Sequence, residues 1–327
     1  MSKFVFLVND DGYRKYTYLA AKEAGASVPR IKSRLVRKLF EIHNAEPLNR
    51  FFELPLKWMW YSKVVNESNL FNDDEIYFIL YESFHMSYSR KLIRHFKKRY
   101  KKSKFYYLFT NPASNYNLYR LNKIKDLLDG VFSFNKEDVK KYGYFLLEEE
   151  PFILPKQGKH KEISDVFFVG SDKGRLPILL SIYEKLSKDG LICDFWITGV
   201  SENNQKYKDV IHYNHPLSYE EVLKRDARSK CILEVLQDGK TYTSIRTLEA
   251  IQYHKKLLTM STSVKDRWFY NPEIINVFQE ASELSKDFIQ KTIEDKEFEK
   301  ISIGSFSGFE KKFLKMIKSG NVDKYVY

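Results

Sequence analysis

Short apolar runs, each closing in a small polar or glycine-bearing turn, alternate with helix-compatible stretches along this chain, and the pattern restarts after residue 162. Continuous apolar runs of strand length are what a sheet buried on both faces requires. Helices between successive runs make that sheet parallel. Runs at 3–8, 75–81, 105–109 and 130–134 predict the first set of strands, with helices over 13–24, 89–104 and 136–142. Runs at 165–169, 193–198, 231–236 and 256–259 predict the second set, with helices over 177–186, 219–224 and 245–253. Between the sets, Glu148-Glu149-Glu150-Pro151 and Pro155-Lys-Gln-Gly158 are polar and turn-rich, as a boundary should be.

The expected fold class is therefore α/β, with two Rossmann-like doubly wound domains facing a cleft. An N-terminal domain would span 1–155 and a second domain 162–282, with closing helices over 283–327. A length of 327 residues and a hydrophobic content of 43% suit two separate cores.

A net charge of +12 points to an anionic partner. Two stretches concentrate the basic residues. Arg30, Lys32, Arg34, Arg37 and Lys38 interleave with Ile31, Leu35, Val36, Leu39 and Phe40 at helical spacing, with Trp58 and Trp60 downstream. That pattern suits an anionic membrane surface. Residues 89–104 carry nine Lys or Arg, yet no nucleic-acid-reading module accompanies them, so nucleic acid is not an expected partner. No apolar run reaches 18 residues, and the N-terminal run is too short for a signal peptide. The expected location is cytoplasmic, peripheral at the inner face of the cell membrane. Cys193 and Cys231 lie in apolar runs without metal-ligand spacing and read as buried free thiols.

Two turns in the second half carry chemistry. In the first, Gly170-Ser-Asp-Lys173-Gly-Arg175, glycine permits close backbone approach to a phosphate, and Lys173 and Arg175 supply charge. It matches neither a Walker A loop nor a dinucleotide fingerprint. In the second, Gly239-Lys-Thr-Tyr-Thr243-Ser244-Ile-Arg246-Thr-Leu-Glu249, Thr243 or Ser244 caps a helix whose amides would meet a second phosphate. Arg246 would reinforce them, and Glu249 could accept both hydrogens of a ribose diol. In the first half, Asp10 and Asp11 stand at one strand end and Glu82 and His85 at another, as candidate general bases.

The segment 165–278 resembles the donor domain of GT-B-type glycosyltransferases, in particular the bacterial lipopolysaccharide and capsular-polysaccharide branch. The matching pieces are Asp-Val-Phe-Phe-Val-Gly-Ser-Asp-Lys-Gly-Arg-Leu, Ile-Leu-Glu234-Val-Leu-Gln-Asp-Gly and Thr-Ser-Ile-Arg-Thr-Leu-Glu249-Ala-Ile, followed by Lys255-Lys256-Leu-Leu-Thr and Trp268-Phe-Tyr-Asn-Pro272. The resemblance implies that Glu249 holds the donor ribose, that Lys173 or Arg175 neutralises the diphosphate, and that the acceptor is a glycan or lipid-linked. The donor is a nucleotide-sugar used as substrate, and no metal or other cofactor is expected. Glu234 and Glu249 are fifteen apart rather than about eight, so the retaining pattern is not met. A nucleotide-sugar epimerase on the same fold and a catalytically silent binding protein stay open.

Overall fold

The structure is a computed structural model describing residues 3–319 apart from 32, 46, 50, 148, 157, 159, 160, 238–243 and 302. The chain is α/β and divides into two compact units, Met1–Ile153 with Ser305–Tyr327, and Leu154–Gly304. Each unit is built on one parallel sheet with helices on both faces.

In the first unit the elements run β1 (Lys3–Leu7), α1 (Arg14–Glu23), α2 (Arg34–Asn44), α3 (Tyr61–Val64), β2 (Ile76–Tyr81), α4 (Arg90–Arg99), β3 (Ser103–Leu108), α5 (Asn115–Asn122), β4 (Gly130–Ser133), α6 (Lys136–Tyr142) and β5 (Phe145–Leu146). The sheet order is β1-β2-β3-β4-β5. All six residues of β2 are buried, as a central parallel strand demands. The period of two divides the strands between two cores. Val5, Leu7, Phe78 and Leu80 pack with Phe40, Leu92 and Phe96 from α2 and α4 on one face. Phe4, Phe6, Tyr77 and Ile79 pack with Ala21 of α1 on the other.

The predicted helix over 89–104 stops at Arg99. Ser103 and Lys104 are taken instead by the ladder, opposite Ile76 and Tyr77. Polar segment 149–150 is also drawn inward. The Arg14 guanidinium, 4% exposed, meets Glu150 at 2.6 Å. Buried among aromatic rings, the pair is held by mutual attraction that a lone charge there would lack.

In the second unit the elements are β6 (Ser164–Ser171), α7 (Leu176–Lys188), β7 (Cys193–Thr198), β8 (His212–Tyr213), α8 (Tyr219–Ala227), β9 (Ser229–Glu234), α9 (Ile245–Gln252), β10 (Lys256–Thr259), β11 (Ile275–Val277), α10 (Lys286–Gln290) and α11 (Asp295–Glu299). The sheet order is β11-β10-β9-β6-β7-β8, so the direction of travel reverses between β6 and β9. Such a reversal opens a crevice outside the carboxyl ends of the two strands. Cys193 and Cys231 both register against Val166, one from each side. Two strand spacings separate them by about 9–10 Å, beyond disulfide reach. Both thiols are free, and burial pushes each up to about 12.

The last helix, α12 (Phe306–Ser319), returns to the first unit. Phe309 and Phe313 complete the core beneath Phe4 and Phe6. Among the described residues no helix is long and apolar enough to cross a membrane.

Candidate functional site

The turn after β6 lies at the reversal point of the second sheet. Lys173 and Gly174 both take left-handed backbone conformations, φ +45° and +85°. A lysine rarely adopts this conformation, and strain of this kind gathers at functional turns. The result is an exposed Lys173 side chain.

Its neighbours are committed elsewhere. Asp172 Oδ1 accepts the Leu176 amide at 2.7 Å, so the start of α7 is capped by the chain's own carboxylate. A diphosphate at that helix end would have to displace Asp172. Arg175 is a staple. Its Nε donates to the Asp172 carbonyl at 3.1 Å, its Nη1 to the Val235 carbonyl at 2.6 Å, and its Nη2 to the Ser171 carbonyl. Gly170 makes room for that crossing. A Cβ there would lie 3.0 Å from Arg175 Nη2 and 3.2 Å from the Phe168 ring. The sequence assigned this glycine to phosphate approach, whereas the crowding atom is the arginine of the same motif.

In the second turn, Thr243 and the glycine loop before it lie outside the described residues. Ser244 caps α9, its Oγ accepting the Arg246 amide at 3.1 Å. Ser244 also donates its amide (3.2 Å) and its hydroxyl to Glu234 Oε1, and Thr259 Oγ1 donates to Oε2. Glu234 thus knots the ends of β9 and β10 to the start of α9. Burial raises its carboxyl above the ordinary range despite these donors.

Glu249 is fully buried. Tyr219 donates its hydroxyl to Oε1, and Arg246 Nη2 donates to the same oxygen at 3.0 Å. Oε2 lies 2.8 Å from Arg246 Nε without forming a hydrogen bond. Arg246 Nη1 also reaches Asp226, 0% exposed, at 3.2 Å. Two buried carboxylates therefore share one guanidinium. Burial pushes Glu249 up to about 8 and Asp226 to about 6. A bound proton on one of them makes the cluster neutral. A ribose would reach Glu249 only after Tyr219 moved aside.

In the first unit Asp10 pairs with Arg37 at 2.7 Å, and Asp11 is exposed at the start of a turn. Glu82 is buried. Its oxygens accept the Thr110 and Asn111 amides at 3.0 and 3.2 Å and Asn117 Nδ2 at 3.2 Å. That carboxylate fastens the loop after β3. His85 is half-buried, and desolvation holds its imidazole below the usual value, so the ring is neutral at neutral pH.

Of the four base candidates, His85 alone lines a cavity of about 550 Å³. The same cavity is lined by Lys57, a residue for which the sequence offered no signal, one lysine among 55 Lys and Arg. Among the described residues no group of three His, Cys, Asp or Glu side chains is arranged to hold a metal ion.

No protein-family model matches the chain, and no curated protein matches it significantly. Among solved structures it is similar to three bacterial proteins. A glycosylation-associated protein complex from Streptococcus agalactiae is 12% identical at TM-score 0.39, over 78% of this chain and 53% of that one, so this chain spans about half that length. A protein described as a UDP-N-acetylglucosamine 2-epimerase from Listeria monocytogenes is 11% identical at TM-score 0.43, over 98% and 95%. The glycosyltransferase SnogD from Streptomyces nogalater is 10% identical at TM-score 0.40, over 96% and 95%. The functional reading rests on the chain's own residues.

Proposed function

We propose that the chain is a glycosyltransferase that moves a sugar from a nucleotide-sugar donor to a hydroxyl of a glycan or lipid-linked acceptor in bacterial surface polysaccharide synthesis, with no metal required. The observation that carries this reading is the position of the two turns paired in sequence. They follow neighbouring strands, β6 and β9, at the sheet's reversal point, and Arg175 of the first turn bonds the Val235 carbonyl just beyond the end of β9. Ligands of open parallel sheets settle in this crevice. Lys173, held out by a strained backbone, is the cation placed to meet a leaving diphosphate, where fixed charge is worth most. Arg246 underpins α9 from within, and Glu249 is assigned to the donor ribose, which it would meet once Tyr219 moves aside. On the acceptor side, His85 is the base that the geometry favours, since its neutral ring can take a hydroxyl proton.

Calorimetry against UDP-, GDP-, CMP- and dTDP-sugars tests the donor site. One of these should bind, and Lys173→Glu should weaken it by about 1.5–3 kcal/mol, the scale of a hydrogen bond to a charged group. Equal affinity in the variant would remove Lys173 from the diphosphate site.

The same reading seats the protein at an anionic membrane face. Leu35, Leu39 and Ile42 of α2 form an exposed apolar stripe, with exposed Arg34 and Lys38 beside it and Trp58 exposed downstream. Trp60 instead enters the core, donating its indole N–H to His43 Nδ1 at 2.7 Å. The Arg34→Glu, Lys38→Glu double variant should lose about 1 kcal/mol per removed charge in binding anionic vesicles. Unchanged partition in a sedimentation assay would remove the membrane from the reading.

A further inference from the structure

The cavity beside His85 lies wholly within the first unit, next to the start of α4. Its chemistry is lopsided. Lys57, Arg90, Lys91, Arg94 and Lys123 line it, against a single carboxylate, Glu53. That carboxylate is already used. Its oxygens accept the Arg90 amide at 2.6 Å and the Ser89 hydroxyl at 2.7 Å, which caps α4. Arg90 in turn is engaged bidentately by Asp126.

Lys57 is the unusual member. It is 3% exposed, and both acceptors of its ammonium are neutral, the His43 carbonyl at 2.8 Å and Asn44 Oδ1 at 2.7 Å. An ammonium has three donors, so one N–H is left over. Among the described residues no carboxylate makes an ion pair with it. Burial draws Lys57 down to about 8, outweighing the attraction of Glu53, which stands on the same lining and acts on Lys57 through space without bonding it. An anion entering the cavity would give Lys57 the directly bonded negative charge that Glu53 does not, and would face five cationic side chains against that one carboxylate. Arg94 is exposed on α4, and the Phe51 and Phe52 rings, 89% and 69% exposed, stand on the same lining. Two adjacent, largely exposed rings beside a cationic cavity suit a ligand with an apolar portion.

We propose that this cavity binds the phosphate group of an amphiphilic ligand, with Lys57 as its buried counter-charge, Arg94 as its outer cation, and Phe51 and Phe52 against the apolar portion. This deepens the glycosyltransferase reading by naming the acceptor's chemistry, and it rests on that reading only for the ligand's role as acceptor.

The test is calorimetry on the full chain with three probes: inorganic phosphate, farnesyl phosphate and farnesol. Farnesyl phosphate should bind. Lys57→Met and Arg94→Glu should each weaken it about ten- to a hundredfold, the scale of a charge-assisted hydrogen bond. Arg94 is exposed, so its variant keeps the test sound if Lys57→Met fails to fold. Lys173→Glu should leave this binding unchanged. Inorganic phosphate binding as tightly as farnesyl phosphate would identify a soluble phosphate as the source and overturn the amphiphilic ligand. Tighter binding of farnesyl phosphate would identify a lipid headgroup. Binding of neither phosphate, equal binding of farnesol, or unchanged affinity in Arg94→Glu overturns the proposal. Lost donor binding with phosphate binding intact would sink the glycosyltransferase reading and leave the cavity's role standing.

Discussion

Arg246→Ala should destabilise the second unit by about 3–5 kcal/mol, the cost of breaking a buried ion pair from one side. The guanidinium is shared by Asp226 and Glu249, both 0% exposed, and nothing replaces it when it is removed. Both carboxyls would then have to be protonated to stay inside. This sets a direction for pH. Glu249 and Asp226 already titrate above the ordinary carboxylate range in the folded chain. Between that range and about 8, the folded chain holds a proton that the unfolded chain has released. Stability therefore falls as pH rises through this window, and levels off above it. Without Arg246 the carboxyls rise further, so the fall should reach to higher pH. Urea unfolding midpoints across the window check both statements. A variant as stable as the parent, with the same pH slope, would show that Arg246 carries no structural load. Glu249→Gln should flatten the upper part of the slope, because it removes the carboxyl that titrates higher of the two.

The same cluster shows where sequence reasoning runs out. The restart of the strand–helix pattern after residue 162 was readable, because continuous apolar runs such as 75–81 and 231–236 have few other uses. The helix starts were also readable, at 177 against Leu176 and at Ile245. What fills them was not. Asp172 and Glu234 are ordinary acids in sequence; the first caps α7 four residues on, through the Leu176 amide, and the second grips Ser244 only where the chain comes back after β9. Gly170 and Arg175 read as partners of a phosphate; in the fold Gly170 also leaves room for Arg175, whose guanidinium bonds the Ser171, Asp172 and Val235 carbonyls. The stripe of α2 was legible as a pattern, yet its period is the same whether it faces a core or water. The exposure of Leu35, Leu39 and Ile42 depends on which face Phe40 and Asn44 claim for the interior. Lys57 shows the limit most sharply. Its position inside a cavity follows from contacts with His43 and Asn44, more than a dozen residues upstream.

Phe313→Ala should cost about 3–5 kcal/mol, the range for deleting a buried aromatic side chain. Phe313 is 2% exposed, and its ring meets Tyr106 and Phe132 at 5.1 Å, Phe309 at 5.4 Å, Tyr77 at 5.6 Å and Phe4 at 5.7 Å. Apart from Phe309 on the same helix, these partners come from β1, β2, β3 and β4, so one ring from the far end of the chain closes the face of four strands. Replacing it leaves a cavity that the rigid sheet cannot collapse to fill. A wider consequence follows for the first unit. Its strands lie before residue 154, but one face of its sheet is covered by α12, which begins only after the whole second unit. Lys312 strengthens the return, donating to buried Glu149 at 2.7 Å. A fragment ending at residue 153 would expose Phe4, Phe6, Tyr77 and Phe132 together, a patch that water does not tolerate. Such a fragment should bind a hydrophobic dye and lack near-ultraviolet circular dichroism, while the full chain should do neither. A cooperatively folding fragment with native aromatic signals would show that α12 is dispensable. In that case the loss in Phe313→Ala should shrink to that of an exposed site, within about 0.5 kcal/mol.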